Sequence, residues 1–120
     1  MAKSYAQLVA EALREIPSVR PTDLQARLGA GEQLVVIDVR EPNEWAGGMI
    51  PGAQPIPRGV LEGQVDGRLP LDAAVVLYCA GGGRSALAAR SLAEMGYTRV
   101  ENLDGGIQGW TGSGLPVERR

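Results

Sequence analysis

The chain has 120 residues, one domain's worth, and a domain of that size buries roughly two-thirds of its unfolded surface without a disulfide or metal staple. A net charge of −2 with no basic stripe gives no general surface for nucleic acid or an anionic membrane, and no stretch approaches the roughly 20 apolar residues that span a bilayer, so a cytoplasmic protein is expected. The absence of histidine removes Cys-His and Ser-His-Asp chemistry; the single cysteine, Cys79, removes an intrachain disulfide, a C-x-x-C pair and cysteine-histidine zinc sites, so no cofactor or metal is expected.

Residues 4 to 16 place Tyr5, Leu8, Val9, Ala12, Leu13 and Ile16 on one face, which predicts an amphipathic helix ended by Pro17. It reads either as packing on the domain or as an element for a partner or second copy. Ser18-Val19-Arg20 is extended before Pro21, and Thr22 is the expected cap of a helix that runs through Leu24 and Leu28 to Gly29. Leu34 to Val39 is almost uninterrupted apolar and β-branched, the pattern of a strand covered on both faces in a parallel sheet. A helical turn around Asn43 to Ala46 closes at Gly47-Gly48, and the proline-punctuated stretch from Ile50 to Pro57 reads as loop with a short edge strand.

Residues Gly59 to Leu71 read as a linker. A second long strand, Ala74 to Tyr78, then leads into Cys79-Ala80-Gly81-Gly82-Gly83-Arg84-Ser85 and a helix expected over residues 85–95. Tyr97 to Leu103 predicts another strand and Gly105 to Trp110 a last short helix. Strands alternating with helices imply an α/β fold with a mainly parallel sheet, whose ligands sit at the carboxyl ends of strands. Cys79 falls at such an end.

A lone cysteine after a strand is most often a small buried hydrophobe. What separates Cys79 from that reading is the conjunction of a strand, three successive glycines, an arginine and a helix start in one short stretch. Glycines let backbone N–H groups converge on one concavity, and the helix start adds free N–H groups and the positive end of its dipole. Such a cradle favours a thiolate, the nucleophilic form, with Arg84 as the neighbouring cation. Asp38, Arg40 and Glu44 read as hydrogen-bonding or ion-paired anchors of neighbouring loops, and Trp45 and Trp110 as packing residues.

Five ordered pieces of the chain resemble the single-domain rhodaneses, sulfurtransferases of the thiosulfate type. They are Ile37-Asp38-Val39-Arg40-Glu41 with Glu44-Trp45; Ile50-Pro51-Gly52-Ala53; the loop Cys79 to Ser85; Gly96-Tyr97 with Val100; and Leu103-Asp104-Gly105-Gly106-Ile107 with Trp110. The resemblance implies a three-layer α/β/α fold with a mainly parallel sheet of about five strands over residues 18–120, preceded by a helical extension, residues 1–17. Four residues separate Cys79 from Arg84. That six-residue loop is the rhodanese form, whereas the related phosphatases and arsenate reductases carry one residue more around a tetrahedral oxyanion.

The activity implied is transfer of sulfane sulfur from thiosulfate, or from a protein persulfide donor, through a Cys79 persulfide to a thiophilic acceptor such as cyanide or a thiol. Ala80, Gly81, Gly82, Gly83, Arg84 and Ser85 would bind the substrate and stabilise the persulfide. A persulfide carrier or partner-binding module that does not turn over is the alternative, and a phosphatase or arsenate reductase is disfavoured by the loop count. The chain departs from the family pattern at Met49, where the family usually has histidine.

Overall fold

A computed structural model describes residues 1–120. Five strands form one parallel sheet: β1 (Ser18–Val19), β2 (Val35–Asp38), β3 (Gln54–Pro55), β4 (Ala74–Tyr78) and β5 (Arg99–Leu103), in the spatial order β1-β5-β4-β2-β3. The α-helices are α1 (Tyr5–Glu15), α2 (Pro21–Gly29), α3 (Leu61–Val65), α4 (Gly83–Glu94) and α5 (Gly106–Gly112). Short 3₁₀ segments lie at Pro42–Gly47 and Arg58–Val60.

The apolar runs are continuous because both faces of the sheet are covered. Successive side chains of a strand point to opposite faces, so Ile37, Val39, Val75, Leu77 and Cys79 join Ile16 of the α1 C-cap, Leu61 and Val65 of α3 and Ala88, Ala89 and Leu92 of α4 in one core. On the other face Val36, Val76, Tyr78 and Leu103 pack with Leu24 of α2, Ile107 and Trp110 of α5, and Met49, Ile50 and Ala53. The helices therefore lie on both sides of the sheet, as the alternation of elements implies.

Three local readings are corrected. Residues 59–71 are not a plain linker, because Leu61 and Val65 are 0% and 3% exposed and sit one turn apart, so a polar stretch rich in glycine folds into α3 to bury them. Helix α2 starts at Pro21 with Arg20 as its cap residue, and Thr22 lies inside the first turn; proline fits the first helical position, where its missing N–H has no partner to lose. Helix α4 begins at Gly83 rather than at residue 85, which draws Gly83 and Arg84 into its first turn and leaves Gly82 as the cap residue.

The expected amphipathic helix forms as α1, capped reciprocally by Ser4 and Gln7 (Gln7 N–H to Ser4 Oγ 3.1 Å, Ser4 N–H to Gln7 Oε1 2.7 Å). It lies against α4, with Ala12 fully buried and the Arg90 guanidinium reaching Glu11 at 3.6 Å and Glu15 at 3.2 Å. No helix of the protein is long and apolar enough to cross a membrane.

Candidate functional site

Strand β4 occupies the middle of the sheet, and Cys79 is the first residue beyond its carboxyl end. The Cys79 side chain is 1% exposed, with Sγ held under the loop by two backbone donors: Gly82 N–H at 3.1 Å and Ser85 N–H at 3.5 Å. No protein acceptor takes the N–H groups of Ala80, Gly81, Gly83 and Arg84. A sulfur atom ringed by amides and facing the first turn of a 12-residue helix sits in an anion-binding arrangement.

The three glycines do different things. Only Gly82 has a left-handed backbone, φ +110°, and that conformation turns its own N–H onto the sulfur. Gly81 has an ordinary φ and open space, its nearest neighbour being Gln108 Oε1 at 3.6 Å from where a Cβ would sit. Gly83 also has an ordinary φ, but a Cβ there would run into the Tyr5 hydroxyl of α1.

The loop is fixed from behind by two elements whose role was not read from the sequence. Ile107 and Gln108, in the first turn of α5, donate N–H groups to the carbonyls of Cys79 (2.9 Å) and Ala80 (3.1 Å), which turns those carbonyls away from the sulfur side. The approach is so close that a Cβ on Gly106 would overlap both carbonyl oxygens, which accounts for glycine there. Asn102, 1% exposed on β5 and paired in register with Leu77, donates Nδ2–H to the Gly82 carbonyl at 3.2 Å and accepts from the Ser85 hydroxyl at 2.6 Å.

Ser85 is one of the loop residues expected to bind substrate and stabilise the persulfide. Oγ lies 3.4 Å from Sγ, but the hydroxyl carries one hydrogen and the much shorter contact is to Asn102 Oδ1. The donors to the sulfur are therefore the two amides, with the Ser85 hydroxyl directed at Asn102.

Arg84, expected as the cation beside the thiolate, is turned to Glu44. Both ends of its guanidinium contact that carboxylate, at 2.7 and 3.0 Å. Glu44 is the leading cause that keeps Arg84 protonated, with the Cys79 sulfur a lesser one, and Arg84 in turn holds the Glu44 carboxyl down at about 2. Glu44 also accepts from Glu41 N–H at 3.0 Å, so it ties the 3₁₀ turn at Pro42–Gly47 to the start of α4.

Asp38 and Arg40 are the loop anchors they were read as. The buried Arg40 guanidinium meets both Asp38 oxygens (2.8 to 3.1 Å) and donates to the carbonyls of Glu44 (3.1 Å) and Gly48 (2.8 Å). Burial opposes its charge most, and Asp38 more than compensates, leaving its pKa raised. Trp110 packs in the core with Nε1–H on the Pro116 carbonyl at 2.7 Å, and Trp45 packs beside the same core. Met49 is 2% exposed in that core and pairs its backbone with Glu118, so the residue that replaces the family's usual histidine serves packing.

The model of the rhodanese-like domain family matches residues 20–113. A protein of Allochromatium vinosum named a sulfurtransferase is 42% identical over 94 residues, 78% of this chain and 87% of that one. Among solved structures, a Rhodopseudomonas palustris protein of unknown function, described as a possible tyrosine phosphatase, superposes with TM-score 0.90 at 34% identity and covers 98% of this chain and 96% of its own. A thiosulfate sulfurtransferase of Pseudomonas aeruginosa matches with TM-score 0.82 at 29% identity, over 96% of this chain and 22% of that longer one. A parallel five-stranded sheet with the cysteine loop at the end of its central strand, and a family match across most of its length, establish that this chain belongs to the rhodanese-like domain family.

Proposed function

We propose that the protein moves sulfane sulfur by way of a persulfide on Cys79. The observation that carries this reading is the seat of Sγ, with the Gly82 and Ser85 amides on it and four residues between Cys79 and Arg84. The Cys79 thiolate attacks the outer sulfur of thiosulfate; the Sγ–S bond forms, the bond to the sulfonate sulfur breaks, and sulfite leaves with that electron pair. The persulfide keeps one negative charge, and the loop amides stabilise it without a general base. A thiophilic acceptor, cyanide or a thiol, then takes the terminal sulfur and restores the thiolate. In this scheme Ala80 to Ser85 bind substrate and persulfide, Arg84 holds the loop through Glu44, and Asn102 orients the Ser85 hydroxyl and the Gly82 peptide.

Thiocyanate formation from thiosulfate and cyanide tests the reading: wild type should turn over and Cys79→Ser should not, and equal rates in the two would remove it. The engagement of Arg84 by Glu44 favours a second reading, a carrier loaded by another protein's persulfide, because no residue from Ala80 to Gly83 supplies a cation for dianionic thiosulfate. A carrier gains sulfur from such a donor but shows little turnover with thiosulfate. The loop count opposes the phosphatase reading, which Cys79-dependent hydrolysis of an aryl phosphate would revive.

A further inference from the structure

Arg84 is the first cation after the reactive cysteine, but both ends of its guanidinium lie on the Glu44 carboxylate, at 2.7 and 3.0 Å. Chiefly through Arg84 that carboxyl sits at about 2, so Glu44 is charged across the neutral range and the pair carries no net charge. The other arginines at the carboxyl end of the sheet are taken in the same way. Arg20, which follows β1, is held by Asp23 at 3.0 Å, and Arg40, which follows β2, by Asp38 at 2.8 Å. Arg58, whose backbone N–H donates to the Val39 carbonyl, is held by Glu62 at 2.7 Å and by the Ser91 hydroxyl at 3.2 Å. The amides of the cysteine loop are left to hold an anion without a free guanidinium.

Glu44 is presented by a built support. Its backbone carbonyl and that of Gly48 accept from the buried Arg40 guanidinium, at 3.1 and 2.8 Å, and its Oε1 accepts the Glu41 N–H at 3.0 Å. From outside, the C-terminal residues strap the same segment: Met49 and Glu118 exchange backbone hydrogen bonds of 2.8 Å, and a Cβ on Gly48 would stand 2.7 Å from Val117 Cγ2. An ion pair between two loose surface side chains is weakly held. A carboxylate fixed in this way keeps a long, flexible arginine in one place.

We propose that Glu44 is a positioning residue that sets how strongly the cysteine loop holds a multiply charged anion, because by engaging Arg84 it keeps the guanidinium off the incoming ligand. The inference deepens the sulfur-transfer reading by naming the residue that weights dianions against monoanions at the loop. An amide carries a partial charge and gains less from a second ligand charge than a guanidinium does. The Arg84 charge is favoured chiefly by Glu44 and, to a lesser degree, by the Cys79 sulfur, so a guanidinium released from Glu44 acts on an anion seated beside that sulfur.

The test is sulfate against methyl sulfate, a tetrahedral dianion and its monoanionic ester, neither of which transfers sulfane sulfur. Each is titrated into the full chain and followed by the NMR shifts of the Ala80 to Ser85 amides. Glu44→Gln, which keeps the shape and removes the charge, should bind sulfate about tenfold more tightly than wild type at low salt and methyl sulfate only about threefold. Adding Arg84→Gln should abolish the gain. A residue that merely props the loop predicts the opposite sign, since a loosened cradle binds every anion less well. Unchanged or weaker sulfate binding in Glu44→Gln and in Glu44→Ala, in chains that melting shows to be folded, overturns the proposal. A gain that survives Arg84→Gln, or one equal for the two anions, overturns it as well. Failure of thiosulfate to add sulfur to Cys79 while the sulfate contrast holds would remove the sulfur-transfer reading and leave the role of Glu44 standing.

Discussion

Asn102→Ala removes a side chain that touches no solvent and makes two hydrogen bonds, to the Gly82 carbonyl and from the Ser85 hydroxyl. The loss is smaller than two buried bonds, because the structure offers substitutes. Gly82 O keeps the Ala86 N–H at 3.1 Å, and the freed Ser85 hydroxyl has Gly82 O at 3.2 Å and Cys79 Sγ at 3.4 Å within reach. One net buried bond plus a small void amounts to about 2 kcal/mol. Ser85→Ala instead strands Asn102 Oδ1 in the interior, at ~1–3 kcal/mol. Because the two residues act as one unit, the double variant should lose less than the sum of the single losses, with a coupling of ~1 kcal/mol or more in a urea-unfolding cycle. Losses that add to within ~0.3 kcal/mol would show that the 2.6 Å bond does not couple these residues, and would refute the reasoning.

Gly82→Ala and Gly81→Ala should separate although the two residues are adjacent: the first forces alanine to φ +110° and should lose ~1–3 kcal/mol, whereas the second should stay within ~0.5 kcal/mol of wild type. Urea midpoints check this, and equal shifts would contradict the division of labour among the glycines. The Glu44 pair carries a pH signature. Its carboxyl sits at about 2 against an ordinary 4.5, chiefly through Arg84, so the folded value is the depressed one. The stabilisation is therefore present above about pH 4.5 and lost as pH falls through about 2. With the side chains 30% and 35% exposed, screening holds it to ~1 kcal/mol. Glu44→Gln should lower stability near neutral pH by that amount and flatten the acid slope in melting experiments; a slope identical to wild type would place the acid sensitivity elsewhere.

The sheet was legible because its signal is local: the run from Ala74 to Tyr78 alternates between two cores, and both cores want apolar residues. The cysteine loop was legible for the same reason, since strand, glycines and helix start follow one another in the chain. Asp38 and Arg40 announced a buried pair by standing charged at the end of an apolar strand. What could not be read was set by contacts distant in sequence. Asn102 is one polar residue in a strand until the pairing of Leu77 with Asn102 brings it to the loop. Gly106 looks like any turn glycine until the Cys79 and Ala80 carbonyls are placed against it. Arg84 stands only five positions after the reactive cysteine, yet its guanidinium pairs with a carboxylate 40 residues away, because a bidentate pair outcompetes a single sulfur contact. Helix α3 was hidden by its flanking glycines and charges, which obscured the Leu61–Val65 repeat.

The central claim, that Cys79 carries sulfane sulfur, is tested most directly by intact mass of the full chain after incubation with a sulfane-sulfur donor and removal of the excess. Wild type should gain the mass of one sulfur atom, lost on treatment with cyanide and never acquired by Cys79→Ser. An unchanged wild-type mass with thiosulfate, organic thiosulfonates and a protein persulfide alike would contradict it.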